Sequence, residues 1–191
     1  PNSAKSTEGE SEESADDIDD NDDDVYDDDD NLRRRGLKYL DVSDNNLSDS
    51  HCAQVLESAC AGPLEGLDLS GNGSQKAEAL TSSFVFIMTH KNDMTHNHIR
   101  HLGLRNMALP VACVCQILES LKGNITLTSL DLSANNLRDQ DELNEKFPSF
   151  LNKNRALRSL DLSNNGFDVV TTSMIEVGIL KNNTLLLLPY H

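Results

Sequence analysis

From residue 37 onward the apolar positions return in a fixed arrangement. An eleven-residue phrase recurs as LKYLDVSDNNL from Leu37, LEGLDLSGNGS from Leu64, IRHLGLRNMAL from Ile99, LTSLDLSANNL from Leu127 and LRSLDLSNNGF from Leu157, and a shorter LLLLPYH begins at Leu185. The starts lie 27, 35, 28, 30 and 28 residues apart, so one interval carries about seven extra residues. Within a phrase the fourth and sixth places are apolar, as at Leu130 and Leu132, and this period of two predicts a short strand with one buried face. Between phrases the spacing becomes helical. Cys52, Val55, Leu56 and Ala59 follow i, i+3, i+4, i+7, and Leu80, Phe84, Ile87, Met88, then Val111, Val114, Leu118, Leu121, then Leu143, Phe147, Phe150, Leu151 keep similar steps. Each unit therefore reads strand, turn, helix, return. A single unit cannot bury its apolar face alone, so neighbours must stack, with parallel strands on a concave side and helices on a convex one.

The ninth place holds Asn45, Asn72, Asn135 and Asn165, where the chain bends away from the strand. A short amide there can bond the unpaired backbone groups of the turn, which makes the row structural. The copy from Ile99 departs, with Gly103, Arg105 and Met107 in the usual Asp, Ser and Asn places, and its turn is expected to be irregular.

The phrase resembles the L-x-x-L-x-L-x-x-N-x-L wording of the leucine-rich-repeat superfamily, and the period resembles its ribonuclease-inhibitor-like branch, over residues 37–191. The resemblance implies an α/β solenoid. The closing stretch LKNNTLLLLPYH, residues 180–191, is similar to the end of the repeat domains of tropomodulin-type actin regulators. Repeats joined to an acidic run also resemble a GTPase-activating protein of nuclear transport and an acidic nuclear histone-binding protein. In both of these the acidic run follows the repeats, whereas here it precedes them.

Charge divides the chain in two. Residues 1–30 hold 15 Asp and Glu against the single Lys5, while the rest carries 17 acids against 15 bases out of a total net charge of -16. With hardly an apolar residue beyond Ile18, Val25 and Tyr26, residues 1–31 cannot offset the entropy of ordering and are expected to be a disordered segment. It is either a solubilising spacer or a polyanion for a basic partner, tunable by phosphorylation at Ser14. Residues 32–191 are expected to form one domain of about five and a half repeats of ~28 residues. The first phrase follows directly on Arg33, Arg34 and Arg35, and the last stops at His191 in mid-phrase, so the solenoid is expected to be uncapped and part of a longer one.

Cys52, Cys60, Cys113 and Cys115 form no disulfide framework and fall on helical stretches, which fits reduced thiols. No signal-peptide pattern is visible, and no run approaches the ~20 apolar residues of a membrane span, so a cytoplasmic setting, cytoskeletal or nuclear included, is expected. Asn46, Asn72, Asn124 and Asn182 head N-x-S/T triplets, which the Asn- and Ser-rich phrase produces by chance.

Outward side chains come from the third, fifth and seventh places. They predict a concave partner surface of Tyr39, Asp41, Asp68, His101, Arg105, Ser129, Asp131, Ser159 and Asp161, with Ser133 also facing outward. The aspartates form either an acidic ribbon for a basic protein or no more than the repeat's common wording. His90, Asp93, His96, His98 and His101 cluster around the seven-residue insertion, but their spacing matches no metal-ligand pattern and a surface loop is the expected reading. No phosphate loop, nucleophile elbow or dinucleotide fingerprint occurs, so no catalysis, cofactor, nucleic acid or membrane is expected. The implied role is a scaffold or regulator that binds a protein. The alternatives are a structural subunit of a large assembly, cytoskeletal or axonemal, and a regulator of actin or of a small GTPase. Amide exchange on the free protein is expected to be fast across Asp16 to Asp30; slow exchange there would make the acidic run part of the fold.

Overall fold

The alternation at each phrase produces a strand only three residues long. The computed structural model describes residues 36–73, 76–89, 97–138 and 141–190. The strands are β1 (Tyr39–Asp41), β2 (Gly66–Asp68), β3 (His101–Gly103), β4 (Ser129–Asp131) and β5 (Ser159–Asp161). They pair in parallel in chain order, with third, fourth and fifth places aligned from copy to copy. The shorter sixth copy extends the ladder: Ser159 bridges Leu187, and Leu160 N and Leu162 N donate to Leu187 O and Pro189 O.

Helices α1 (Asp49–Cys60), α2 (Glu78–Thr89), α3 (Val111–Leu121), α4 (Asp141–Lys153) and α5 (Val169–Ile179) return the chain between strands. Ser48 caps α1 by accepting from His51 N, and Asp168 caps α5 by accepting from Thr171 N. Asp49, in the first turn of α1, accepts from Ala79 N and Leu80 N at 2.8 and 3.0 Å and so satisfies the start of the neighbouring α2. Between strands and helices runs one core. It includes Leu67, Leu69, Leu102, Leu104, Leu130, Leu132, Leu160 and Leu162 from the phrases and Phe84, Phe147 and Phe150 from the helices. Gly178 lets α5 close on α4, since a β-carbon there would meet Leu151 and the backbone of Pro148. At the first repeat the core is open: Leu37 is exposed, and Leu40, Leu47, Val55 and Leu64 line an apolar groove of 730 Å³.

The ninth-place asparagines hold successive turns together. Asn72 Oδ1 accepts from Asn45 N and Leu47 N at 2.9 and 3.0 Å, and its Nδ2 donates to Val42 O and Leu69 O, both at 2.8 Å. Asn135 repeats this with Met107 N, Leu109 N, Leu104 O and Leu132 O, and Asn165 with Asn135 N, Leu132 O and Leu162 O. Each amide thus reaches back one repeat. Asn45, with no described repeat before it, is exposed and donates to Ser43 O within its own turn.

Two expectations are corrected. The turn of the Ile99 copy is regular: Asn106 and Ala108 take the left-handed pair at the eighth and tenth places that Asp44 and Asn46, Ala134 and Asn136, and Asn164 and Gly166 take elsewhere. The departure lies one repeat earlier, where Gly71 is left-handed and Gly73 is not. An asparagine at residue 107 would serve the turn before it, so replacing it with Met107 affects that turn and not its own. Ser133, expected outside, is buried. The strand has ended by the seventh place, and the backbone has left the extended geometry that keeps odd places on one face.

Asn135→Ala would leave Met107 N, Leu109 N and Leu104 O without this partner, while Leu132 O keeps its bond from Asn165, and a loss of roughly 2–4 kcal/mol is expected in denaturant melts. Asn45→Ala, the same change at the exposed end of the row, is expected to cost within about 0.5 kcal/mol.

Candidate partner-binding surface

The in-register ladder turns single residues into rows. Tyr39, Gly66, His101, Ser129 and Ser159 lie side by side at the third place, and Asp41, Asp68, Gly103, Asp131 and Asp161 at the fifth, with neighbouring strands ~4.8 Å apart. Leucines between the rows point the other way into the core. Both rows are therefore left to solvent or a partner.

The two glycines shape the rows. A β-carbon at Gly66 would collide with the Tyr39 ring, so that ring lies across β2 toward His101, with ring centroids 6.0 Å apart and planes at 36°. Asp68 likewise leans over Gly103. Tyr39, Asp41, Asp68, His101, Ser129 and Asp131 come together around a cup of 380 Å³. Ser159 and Asp161 continue the rows on β5 outside it, and Arg105 stands in the turn after β3, exposed.

Every aspartate of the row has a structural task. Oδ1 of Asp41, Asp68, Asp131 and Asp161 accepts from the amide two residues on, at Ser43, Ser70, Ser133 and Ser163, at 2.8–2.9 Å. This Asx bond closes the strand-to-turn bend and accounts for an aspartate in each of these copies. At Asp41 the Ser43 hydroxyl and then the Ser43 amide hold the carboxyl below its usual range. Where Gly103 replaces the aspartate, Ser70 Oγ of the neighbouring turn accepts from Arg105 N at 3.1 Å. Among the described residues the ion pairs are Lys38 with Glu65, and Lys122 and Lys146 with Glu119, so none neutralises the row.

A second asparagine row escaped the sequence reading. Asn124, Asn154 and Asn182 each stand three residues before a phrase. Their Oδ1 atoms accept from Thr126 N and Leu127 N, from Ala156 N and Leu157 N, and from Thr184 N and Leu185 N. Asn154 and Asn182 also donate to Leu121 O and Leu151 O of the repeat before, both at 2.7 Å. The signal was N-x-x-L ahead of the Leu127, Leu157 and Leu185 copies. Two of these asparagines, with Asn72, also head glycosylation triplets, and their amide atoms are taken up inside the fold.

His90, Asp93 and His96 lie outside the described residues, while His98 and His101 are exposed. Among the described residues no three His, Cys, Asp or Glu side chains are placed to hold a metal ion. No described helix is long and apolar enough to cross a membrane. The four cysteines are buried and free. Cys113 Sγ donates toward Lys76 O and Ala77 O on one side of α3, whereas Cys115 sits near Glu142 and Lys146 on the other. Burial pushes the Cys60 thiol up to about 12, and burial followed by the Glu142 charge pushes Cys115 up to about 12.

Family comparisons agree with this geometry. A family described as "Leucine Rich repeat" matches residues 37–50 and 123–141, and a second, "Leucine Rich Repeat", matches residues 156–177. The repeats are leucine-rich repeats. No curated protein matches the leucine-rich-repeat chain as a relative. Among solved structures, the tropomodulin C-terminal domain of Caenorhabditis elegans is similar at 13% identity over 80% of this chain and 89% of that one, with a TM-score of 0.59. A structure described as "Leiomodin-1 Actin-Binding Site 2 (ABS2)" is similar at 18% identity over 84% of this chain and 73% of that one, with a TM-score of 0.51. At these identities the likeness is one of leucine-rich-repeat fold.

A thiol reagent added to the native leucine-rich-repeat chain is expected to label none of the four cysteines rapidly and all four in denaturant. Fast labelling of one site in the native state would place that cysteine at the surface.

Proposed function

We propose that the chain is a non-catalytic module that docks a protein partner on its concave face. The observation that carries this reading is a pair of rows, aromatic and polar in one and acidic in the other, held in register on a face that the core does not use. Carboxylates that pair with no cation among the described residues suit a basic partner surface, and Tyr39 with Arg105 supplies the residue types that interfaces most often draw on. The residues assigned to the contact are Tyr39, Asp41, Asp68, His101, Arg105, Ser129, Asp131, Ser159 and Asp161. The reading assigns residues 1–31 to an acidic segment and residues 32–191 to the repeat domain.

The second reading is a cytoskeletal regulator or structural subunit with actin as its partner. It draws on the fold likeness to a leiomodin structure that is described as an actin-binding site. A cytoplasmic, cytoskeletal location goes with it. Monomeric actin is therefore the first partner to titrate, followed by proteins co-purified from the source cells.

The test is calorimetric titration of the whole chain against that partner. Asp131→Asn with Asp161→Asn, and separately Arg105→Gln, are expected to weaken binding by about 0.5–2 kcal/mol, and added salt to weaken it further. Glu145→Gln, on the convex helix α4, is expected to leave it unchanged. Unchanged affinity in both concave variants, with a loss at Glu145→Gln, would move the interface to the helical side.

A further inference from the structure

The concave face carries a recess built for one cationic side chain. Resting on the concave-face reading, we infer that the cup across β1 to β4 receives an arginine of a basic partner protein, with the guanidinium between the Tyr39 and His101 rings and the Asp68 and Asp131 carboxylates.

Shape is the first argument. Gly66 and Gly103 stand where the neighbouring copies carry side chains, so Tyr39 and Asp68 lean across them and leave a recess walled by the residues on either side. A volume of 380 Å³ takes one long side chain and not a folded element. Charge is the second. Asp41 and Asp68 face one another in register on adjacent strands, an arrangement of like charges that costs free energy until a cation arrives. One oxygen of Asp68 and of Asp131 is held by its turn amide, which fixes the carboxylate and leaves the other oxygen as an acceptor. No lysine, arginine or histidine among the described residues forms an ion pair with Asp41, Asp68 or Asp131. The third argument is the aromatic wall. Tyr39 is 61% exposed, yet its ring is pinned over Gly66 with its neighbour His101 6.0 Å away, and both rings line the cup. A planar guanidinium satisfies both demands together, stacking on a ring while its fork bonds carboxylate, whereas a lysine ammonium meets the charge but not the plane.

The probe is a capped Ser-Gly-Arg-Gly-Ser peptide titrated into the isotope-labelled whole chain and followed by amide chemical shifts. Saturable shifts are expected at Gly66, His101 and Gly103, smaller ones with lysine in place of arginine, and none with neutral citrulline. Asp68→Asn with Asp131→Asn keeps the oxygens that accept from Ser70 N and Ser133 N, so the fold is retained while the peptide binds about tenfold more weakly. Tyr39→Ala is expected to weaken it about threefold. Glu145→Gln should change nothing. The inference is overturned if arginine and citrulline peptides shift the same amides equally, or if the arginine peptide shifts signals only within residues 1–31. Should that happen while Arg105→Gln and Asp161→Asn still weaken the whole partner, the concave docking face stands and the arginine cup alone falls.

Discussion

The structure depends on one polar side chain satisfying the backbone of a neighbour. A turn that leaves the sheet at every repeat strands amides and carbonyls in a dry interior, where each unpaired group costs about 1–3 kcal/mol. Asn72, Asn135 and Asn165 answer this with one amide that both accepts and donates, directed back into the preceding turn. Burial of the phrase leucines follows from it, because the turns must be in step before successive leucines can meet. Register and row alignment on the concave face are consequences of that step.

The fold was legible because solenoid physics is periodic. Leu130 and Leu132 reveal a strand by alternation, Leu143, Phe147 and Phe150 a helix by spacing, and their recurrence dictates the stacking. What the sequence hid was directional. Nothing in the letters says that a ninth-place amide reaches backward, so the effect of Met107 was assigned to its own turn when it falls on the one before. Ser133 was placed outside by continuing an alternation past the end of a three-residue strand. The structural row of Asn124, Asn154 and Asn182 is hard to read from the sequence because its period is carried by single residues in the return segments, outside the phrase.

The concave residues were legible as rows and illegible as a shape. Alternation placed Tyr39, His101, Asp68 and Asp131 on one face, but not the tilt of Tyr39 across Gly66 or of Asp68 over Gly103. Those tilts arise from what the glycines lack, and they separate the cup from the plain continuation at Ser159 and Asp161. The aspartates also show how a repeated word can hold two meanings: one oxygen closes the turn in each copy that has the aspartate, and the other is available wherever the neighbouring rows make room.

The gap at Met107 has a consequence for cooperativity. In a linear array, global unfolding is all-or-none only while every junction couples its neighbours strongly enough to outweigh the intrinsic instability of single repeats. The junction between the second and third repeats keeps its strand ladder and apolar contact but lacks the amide bridge present on either side. Among the junctions between the complete copies it is the one without that bridge. The missing bridge lowers the coupling between an amino-terminal pair of repeats and the carboxy-terminal block, and that junction lies beneath the acidic cup.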